Sequence, residues 1–261
     1  MPAHDSTDPN PSASGDDVLG RRERILSEAT IDVLGRMARS SNVTLLCDLH
    51  VEPTDTSDTT DGSGAASAPR GIYKPHRGEQ PLWDFPDGLY RREVAAYRLA
   101  RALGWALVPP TVERDGPFGV GSLQWFVEAD FTRHYFELVE DPSTHPQLRR
   151  LAAFDFVANS TDRKGGHVLV DADGHLWAID NGLSMHAEFK LRTVVWDFAG
   201  EPLDPDLIDD LDRVSRGLPE DLAALLDPFE RDALRTRARA LVSEGRLPTD
   251  PSGSRYPWPL L

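Results

Sequence analysis

Two aspartates in one short stretch, Asn159 to Gly182 (NSTDRKGGHVLVDADGHLWAIDNG), carry the most specific chemistry in this chain. Asp162 stands in a polar Asp-Arg loop at the end of an apolar segment of helical period, and Asp180 ends a strand before Asn181-Gly182. Between them the spacing predicts strands over 168–170 and 176–179, joined by an Asp173-Gly174 turn. A hairpin flanked in this way brings both carboxylates to one end. Phosphoryl transfer needs such a pair: one acid faces the attacking hydroxyl, and the other holds the Mg²⁺ that bridges the nucleotide phosphates. A plain surface hairpin punctuated by Asp and Gly fits the same residues equally well.

The elements that must position these acids lie on both sides of them. Residues 1–20 are Pro, Ser, Asp and Gly with almost no apolar content and read as a disordered tail. A short helix and strand over 25–35 and a strand over 43–49 flank Ser40-Ser41-Asn42, a polar tip of the kind whose amides and hydroxyls can cover phosphates; a plain hairpin turn is the alternative. Residues 52–69 form a low-complexity, flexible insertion. A strand over 71–74 ends on Lys74, Asp87 is placed to cap a helix over 88–103, and Arg114-Asp115-Gly116 reads as a turn. SLQWFVE (122–128) reads as a buried strand. From residue 129 the pattern turns helical, with three amphipathic helices expected over 205–218, 220–226 and 229–244.

Glu93 falls on the apolar face of the 88–103 helix, beside Leu89, Ala96, Leu99, Ala100 and Leu103. A carboxylate among such neighbours is costly unless a cation meets it. Lys74 on the preceding strand is the topological candidate, with Arg92 or Arg98 as local alternatives.

Composition narrows the function classes. A hydrophobic content of 39% and six Trp indicate a folded protein, and a net charge of −15 argues against broad nucleic-acid contact or docking on anionic lipid. The single Cys47 excludes an internal disulfide and a Cys-based zinc site, and fits a reducing compartment. Without an apolar run of about 18 residues or a signal-peptide core, the expectation is a cytoplasmic protein with no stable membrane insertion.

Taken in order, a lysine strand, a helix glutamate, a hinge-like strand, Asp-Arg and a later Asp-x-Gly form the order of kinase parts. The wording resembles the phosphatidylinositol 3/4-kinase superfamily, particularly the type II phosphatidylinositol 4-kinases, and looks closest to an actinobacterial family labelled phosphatidylinositol 3/4-kinase-like. The matching segments are Ser40-Ser41-Asn42, Tyr73-Lys74-Pro75, Gly121 to Glu128, Asn159-Ser160-Thr161-Asp162-Arg163 and Ile179-Asp180-Asn181-Gly182-Leu183. The resemblance implies an α+β, bilobal protein-kinase-like fold. Its N-lobe (21–128) would be an antiparallel sheet with one helix, and its C-lobe (129–261) mainly helical with a catalytic hairpin.

It also implies ATP and Mg²⁺ or Mn²⁺ as cofactors. Lys74, positioned by Glu93, would contact the α/β-phosphates, and Ser40, Ser41 and Asn42 would cover them. Gln124 and the backbone of Phe126, Val127 and Glu128 would meet the adenine. Asp162 and Arg163 make the catalytic motif, and Asp180 would ligate the metal. His167 stands where the family pattern has Asn as second metal ligand, and imidazole is a poorer partner than oxygen for hard Mg²⁺. The reading is an ATP-dependent transfer of phosphate to a hydroxyl acceptor. With only Lys190, Arg192 and His186 in 185–196, a protein or small molecule suits the acceptor better than a phosphoinositide. The alternatives are a nucleotide-binding pseudokinase and an AMP transferase.

Overall fold

The computed structural model describes residues 15–37, 42–51 and 68–261. In chain order the elements are α1 (Gly15–Glu28), β1 (Thr30–Arg36), β2 (Leu45–His50), β3 (Arg70–Pro75), α2 (Leu89–Leu103), β4 (Thr111–Gly116) and β5 (Gly119–Trp125). There follow α3 (Tyr135–Leu138), α4 (His145–Ala158), β6 (Val168–Val170), β7 (Leu176–Ala178), α5 (Pro205–Arg216), α6 (Glu220–Ala223) and α7 (Pro228–Glu244). The first five strands form one antiparallel sheet in the order β1-β2-β3-β5-β4, and β6 pairs with β7 in a separate hairpin. A sheet lobe and a mainly helical lobe carrying the hairpin make the α+β bilobal, kinase-like architecture expected above.

Strand alternation decides what faces the space between the lobes. Leu45, Cys47 and Leu49 of β2, Tyr73 of β3 and Leu123 of β5 share one face, which Leu26 of α1 and Ala29 just after it cover. Period two then turns Ile72, Lys74, Ser122 and Gln124 to the opposite face, with Lys74 directly across from Ser122. The strands can come this close at Lys74 because residue 121 is glycine: a Cβ there would stand 2.3 Å from the Lys74 carbonyl oxygen.

Several local expectations shift. α1 begins at Gly15, inside the stretch read as a tail through residue 20. β4 runs through 114–116, so the turn falls at Pro117-Phe118. The strand expected over 122–128 ends at Trp125. There the carbonyls of Pro110 and Arg70 accept the amides of Trp125 (2.8 Å) and Phe126 (3.0 Å). Asp87 does not cap α2. Gly88, at φ 85°, occupies that position, and the carboxylate of Glu79 accepts the Leu89 and Tyr90 amides at 2.9 and 2.6 Å. A carboxylate there satisfies two orphan donors and complements the helix dipole. The expectations for residues 1–14, for Ser40 and Ser41, and for 52–67 lie outside the described residues. No helix among the described residues is long and apolar enough to cross a membrane.

α2 contributes Ala95, Ala96, Tyr97, Leu99, Ala100 and Leu103 to a large core that otherwise comes from 105–247. A buried ion pair from Arg92 to Glu230 of α7 reinforces this packing.

Candidate active site

Lys74 is the centre of the space between the lobes. Its Nζ is ion-paired with Glu93 of α2 and lies 2.8 Å from Oδ1 of Asp180 at the exit of β7. Glu93 is buried, and its second oxygen accepts the Asn181 amide at 2.9 Å, so one carboxylate binds both the lysine and the Asp180 loop. Arg92 and Arg98, the alternative partners, are engaged elsewhere, with Glu230 and with Glu23. Burial opposes the Lys74 charge, but Asp180 and Glu93 outweigh it and hold the ammonium above its ordinary range.

Asp180 takes a left-handed backbone conformation (φ 57°), which Asp tolerates better than most residues and which aims its carboxylate at Lys74. The Lys74 charge, working against burial, holds that carboxyl well below the usual range. The side chain is nonetheless 54% exposed, so it faces an open cleft from a position close to the lysine. Next to this loop Gly182 leaves little room: a Cβ would stand 3.3 Å from Oε1 of Glu93.

Asp162 lines the same cavity as Lys74 and Asp180. Burial raises its pKa, although Lys164, 3.2 Å away, works the other way. His167 Nδ1 lies 3.0 Å from the Asp162 carbonyl oxygen, and its Nε2 lies 3.4 Å from Oδ2 of Asp180. Burial pushes the imidazole down to about 4 despite Asp180, so the ring is neutral near pH 7. Asp180 Oδ2 and His167 Nε2 therefore form a donor pair fit to share a divalent cation. A second grouping, His76, Glu79 and Asp87, brings ligand atoms within 4.8 Å of one another, but both Glu79 oxygens already accept α2 amides.

Arg163, grouped with the catalytic residues by its motif, has a different position. It is buried, with Nε 3.0 Å from Asp155 and its other nitrogens donating to the Ile179 carbonyl (2.7 Å) and to Oδ1 of Asn181 (2.5 Å). It therefore ties the Asp162 loop to the Asp180 loop and does not face the cleft. Asp155 also accepts from Ser160 and Thr193, each at 2.8 Å. Sequence reasoning missed Asp155; its signal is a lone acid inside the apolar run AAFDFVA. It also missed the bracing role of Asn159, which caps α4 at φ 55°. The Asn159 amide donates to the His186 and Glu188 carbonyls and accepts from the Lys190 amide, holding the segment after Asp180 against the loop.

Two cavities meet at Lys74 and Asp180. One, of about 160 Å³, is bounded by Asn42, Glu93, Asp162 and Gly182. The other, of about 190 Å³, is bounded by Ile72, Gln124, Phe126, Val127, Leu169 and Ile179. Asn42 is also braced, its Oδ1 accepting the Gln80 amide at 2.8 Å. Gln124 donates to Thr111 at 2.9 Å, which fixes its side chain in the wall. Phe126 spends its amide on Arg70 and has the Arg70 guanidinium 4.6 Å from its ring centre. Glu128 points out to pair with Arg70 at 2.8 Å. Among the described residues no backbone partner takes the Val127 amide or carbonyl or the Glu128 amide, which leaves a polar edge beside the second cavity.

A five-stranded sheet over a helical lobe, with a lysine, a helix glutamate and a hairpin aspartate meeting between them, defines a kinase-like fold. Solved structures agree. The crystal structure of the Golgi casein kinase with Mn/ADP bound aligns with 95% of this chain and 81% of that one, at a TM-score of 0.56 and 14% identity. A second Golgi casein kinase structure aligns with 88% of this chain and 76% of that one, at a TM-score of 0.50 and 14% identity. At such identity the likeness is one of fold. No family model matches the chain. The chain belongs to the family of Protein Rv2133c of Mycobacterium tuberculosis (strain ATCC 25618 / H37Rv), with which it is 37% identical over 274 residues, covering 90% of this chain and 94% of that protein.

Proposed function

We propose that the protein is an ATP-dependent phosphotransferase of the phosphatidylinositol 3/4-kinase-like type, acting on a hydroxyl of a protein or small molecule. The observation that carries this reading is Lys74, held by Glu93 and Asp180 where the two cavities meet. The apolar second cavity, with the open edge at Val127 and Glu128, suits an adenine. The first, walled by Asn42 and Lys74, suits the phosphates, on which a fixed ammonium acts as a point charge.

Asp162 is then the group that orients the acceptor hydroxyl and takes its proton. Burial brings its pKa closer to working pH, as a general base requires. The hydroxyl oxygen bonds to the γ-phosphorus, the bond to the β–γ bridging oxygen breaks, and ADP leaves. Asp180 and His167 would hold a divalent cation, which neutralises charge on the β- and γ-phosphate oxygens. The Golgi casein kinase structure with Mn/ADP supports both cofactors by likeness of fold. Arg163 and Asn159 serve as positioning residues. The acidic chain and the few cations in 185–196 favour an acceptor other than a phosphoinositide.

The test is thermal stabilisation of the full chain by ADP or ATP with Mg²⁺ or Mn²⁺, run beside incubation with [γ-³²P]ATP. Metal-dependent stabilisation with release or transfer of labelled phosphate is expected. No stabilisation with any ion would sink the nucleotide reading, and label released as pyrophosphate, the leaving group of AMP transfer, would sink the reaction class.

A further inference from the structure

The inference rests on the nucleotide-site reading and concerns which ion that site selects. We infer that His167 makes the cation position beside Asp180 prefer Mn²⁺ or Co²⁺ over Mg²⁺, because it offers a bare imidazole nitrogen where an oxygen would favour the harder ion.

The ring's proton is placed by its neighbours. Nδ1 lies 3.0 Å from the Asp162 carbonyl, which can only accept, so Nδ1 carries hydrogen. The Lys164 amide also approaches Nδ1, but at 3.4 Å, the edge of hydrogen-bond range; the shorter carbonyl contact decides. A neutral imidazole has one N–H, so Nε2 presents a lone pair. A metal ion binds the neutral ring, so the lone pair on Nε2 is the one it would meet.

Nε2 faces Oδ2 of Asp180 across 3.4 Å, while Oδ1 of the same carboxylate is taken by Lys74. Two acceptors facing each other with no proton between repel unless a cation lies between them. Metal–ligand bonds of about 2.1 Å, at about 90–110° to each other, put two ligand atoms roughly 3.0–3.4 Å apart. The spacing therefore suits a shared ion. The backbone pins it: the His167 amide donates to Lys164 (3.1 Å) and its carbonyl accepts from Ile179 (3.0 Å), the residue before Asp180. The neutral ring is thus oriented by the Asp162 backbone, an arrangement that fixes a metal ligand. Imidazole adds little for hard Mg²⁺, while affinity for nitrogen-containing sites rises from Mn²⁺ towards Co²⁺.

The measurement is competition binding on the full chain with ADP, counting free Mn²⁺ by electron paramagnetic resonance as Mg²⁺ is added, for wild type and His167→Asn. Wild type is expected to prefer Mn²⁺, and the variant to lose about tenfold or more of that preference. A variant that fails to fold is bypassed by pulsed resonance on wild-type protein bearing ¹⁵N-histidine. A histidine nitrogen coupled to bound Mn²⁺ is the expected signal. Metal and ADP binding with no histidine coupling, or with an unchanged preference in His167→Asn, overturns this inference alone. Failure of wild type to bind Mn²⁺ with ADP at all overturns it together with the nucleotide-site reading.

Discussion

The sheet and the helix that faces it contribute to different hydrophobic cores. The sheet has its own small core of Leu26, Ala29, Leu45, Cys47, Leu49, Tyr73, Val112 and Leu123. α2 lies between sheet strands β3 and β4 in sequence, yet its apolar face is part of the much larger core that otherwise comes from 105–247. Polar ties run both ways: Arg92 to Glu230, the Trp105 indole to Asp210 at 2.8 Å and Arg213 to the Leu103 carbonyl at 3.2 Å on one side, and Arg98 and Arg101 to Glu23 of α1 at 2.7 and 2.8 Å on the other. Lys74 therefore sits on one body, while Glu93 and Asp180 sit on the other. The Lys74 ion pairs are the latch at the cleft, beside the Arg98 and Arg101 pairs with Glu23 of α1, so the geometry around Lys74 depends on how the two bodies dock.

The strongest way to break this division is Glu230→Ala, which leaves the buried Arg92 charge without its partner. Loss of such a pair costs about 3–5 kcal/mol, at about 2–4 °C of melting temperature for each kcal/mol in a chain of this size. Hydrogen exchange should rise in 89–103 together with the C-terminal helices and leave 45–50 protected. Exchange rising in the C-terminal helices while α2 stays protected with the strands would assign α2 to the sheet.

Lys74→Ala cuts the latch itself. Transfer from ATP should fall about a hundred- to a thousandfold, and ADP binding should weaken, because a fixed charge on the phosphates is gone. Unchanged ADP affinity, measured by calorimetry, would remove Lys74 from the phosphate site. Asp162→Asn should also abolish transfer, but with ADP affinity preserved; a parallel loss of affinity would mean the residue shapes the nucleotide pocket.

Gly121→Ala acts on the sheet alone. A methyl 2.3 Å from the Lys74 carbonyl must push β3 and β5 apart, at about 1–3 kcal/mol. Nucleotide affinity should drop with little change in α2 protection. A variant with wild-type stability and affinity would show that the strands adjust freely.

The mildest probe is Cys47 in the small core. Burial, with Asp32 and Asp48 adding to it, pushes the thiol from 9.0 up to about 11. At pH 8 that leaves roughly a hundredfold less thiolate than an ordinary cysteine. Alkylation should be slow in the native protein and should accelerate in mild urea before α2 loses exchange protection. Labelling that tracks global unfolding would instead mean that the two bodies open as one.

Much of the site was legible because its signals are local. Turn chemistry at Asp173-Gly174 and the short strand that carries Lys74 each involve only a few residues. The apolar period around Glu93 identified a buried acid, although the choice among Lys74, Arg92 and Arg98 needed the structure. Arg163 misled for the opposite reason. Its motif links it to Asp162, while its hydrogen bonds run to Asp155, Ile179 and Asn181 inside the protein. The 122–128 strand was read too long because β-prone residues continue past Trp125, where the neighbouring strands no longer supply partners.

By itself the sequence determined the order of parts, the hairpin between the two aspartates, the amphipathic helices and the lysine at the end of its strand. These follow from backbone preferences and periodicities of two and 3.6 residues, which operate within a single element. Only the tertiary structure decided that α2 joins the second core, that Asp155 and Asn159 brace the loops, and that His167 turns Nε2 toward Asp180. Those outcomes depend on partners far apart in the chain, as with Arg92 and Glu230, 138 positions apart. No local pattern specifies which distant charge will fill a buried site; packing brings the partners together, and the cost of an unpaired buried group keeps them there.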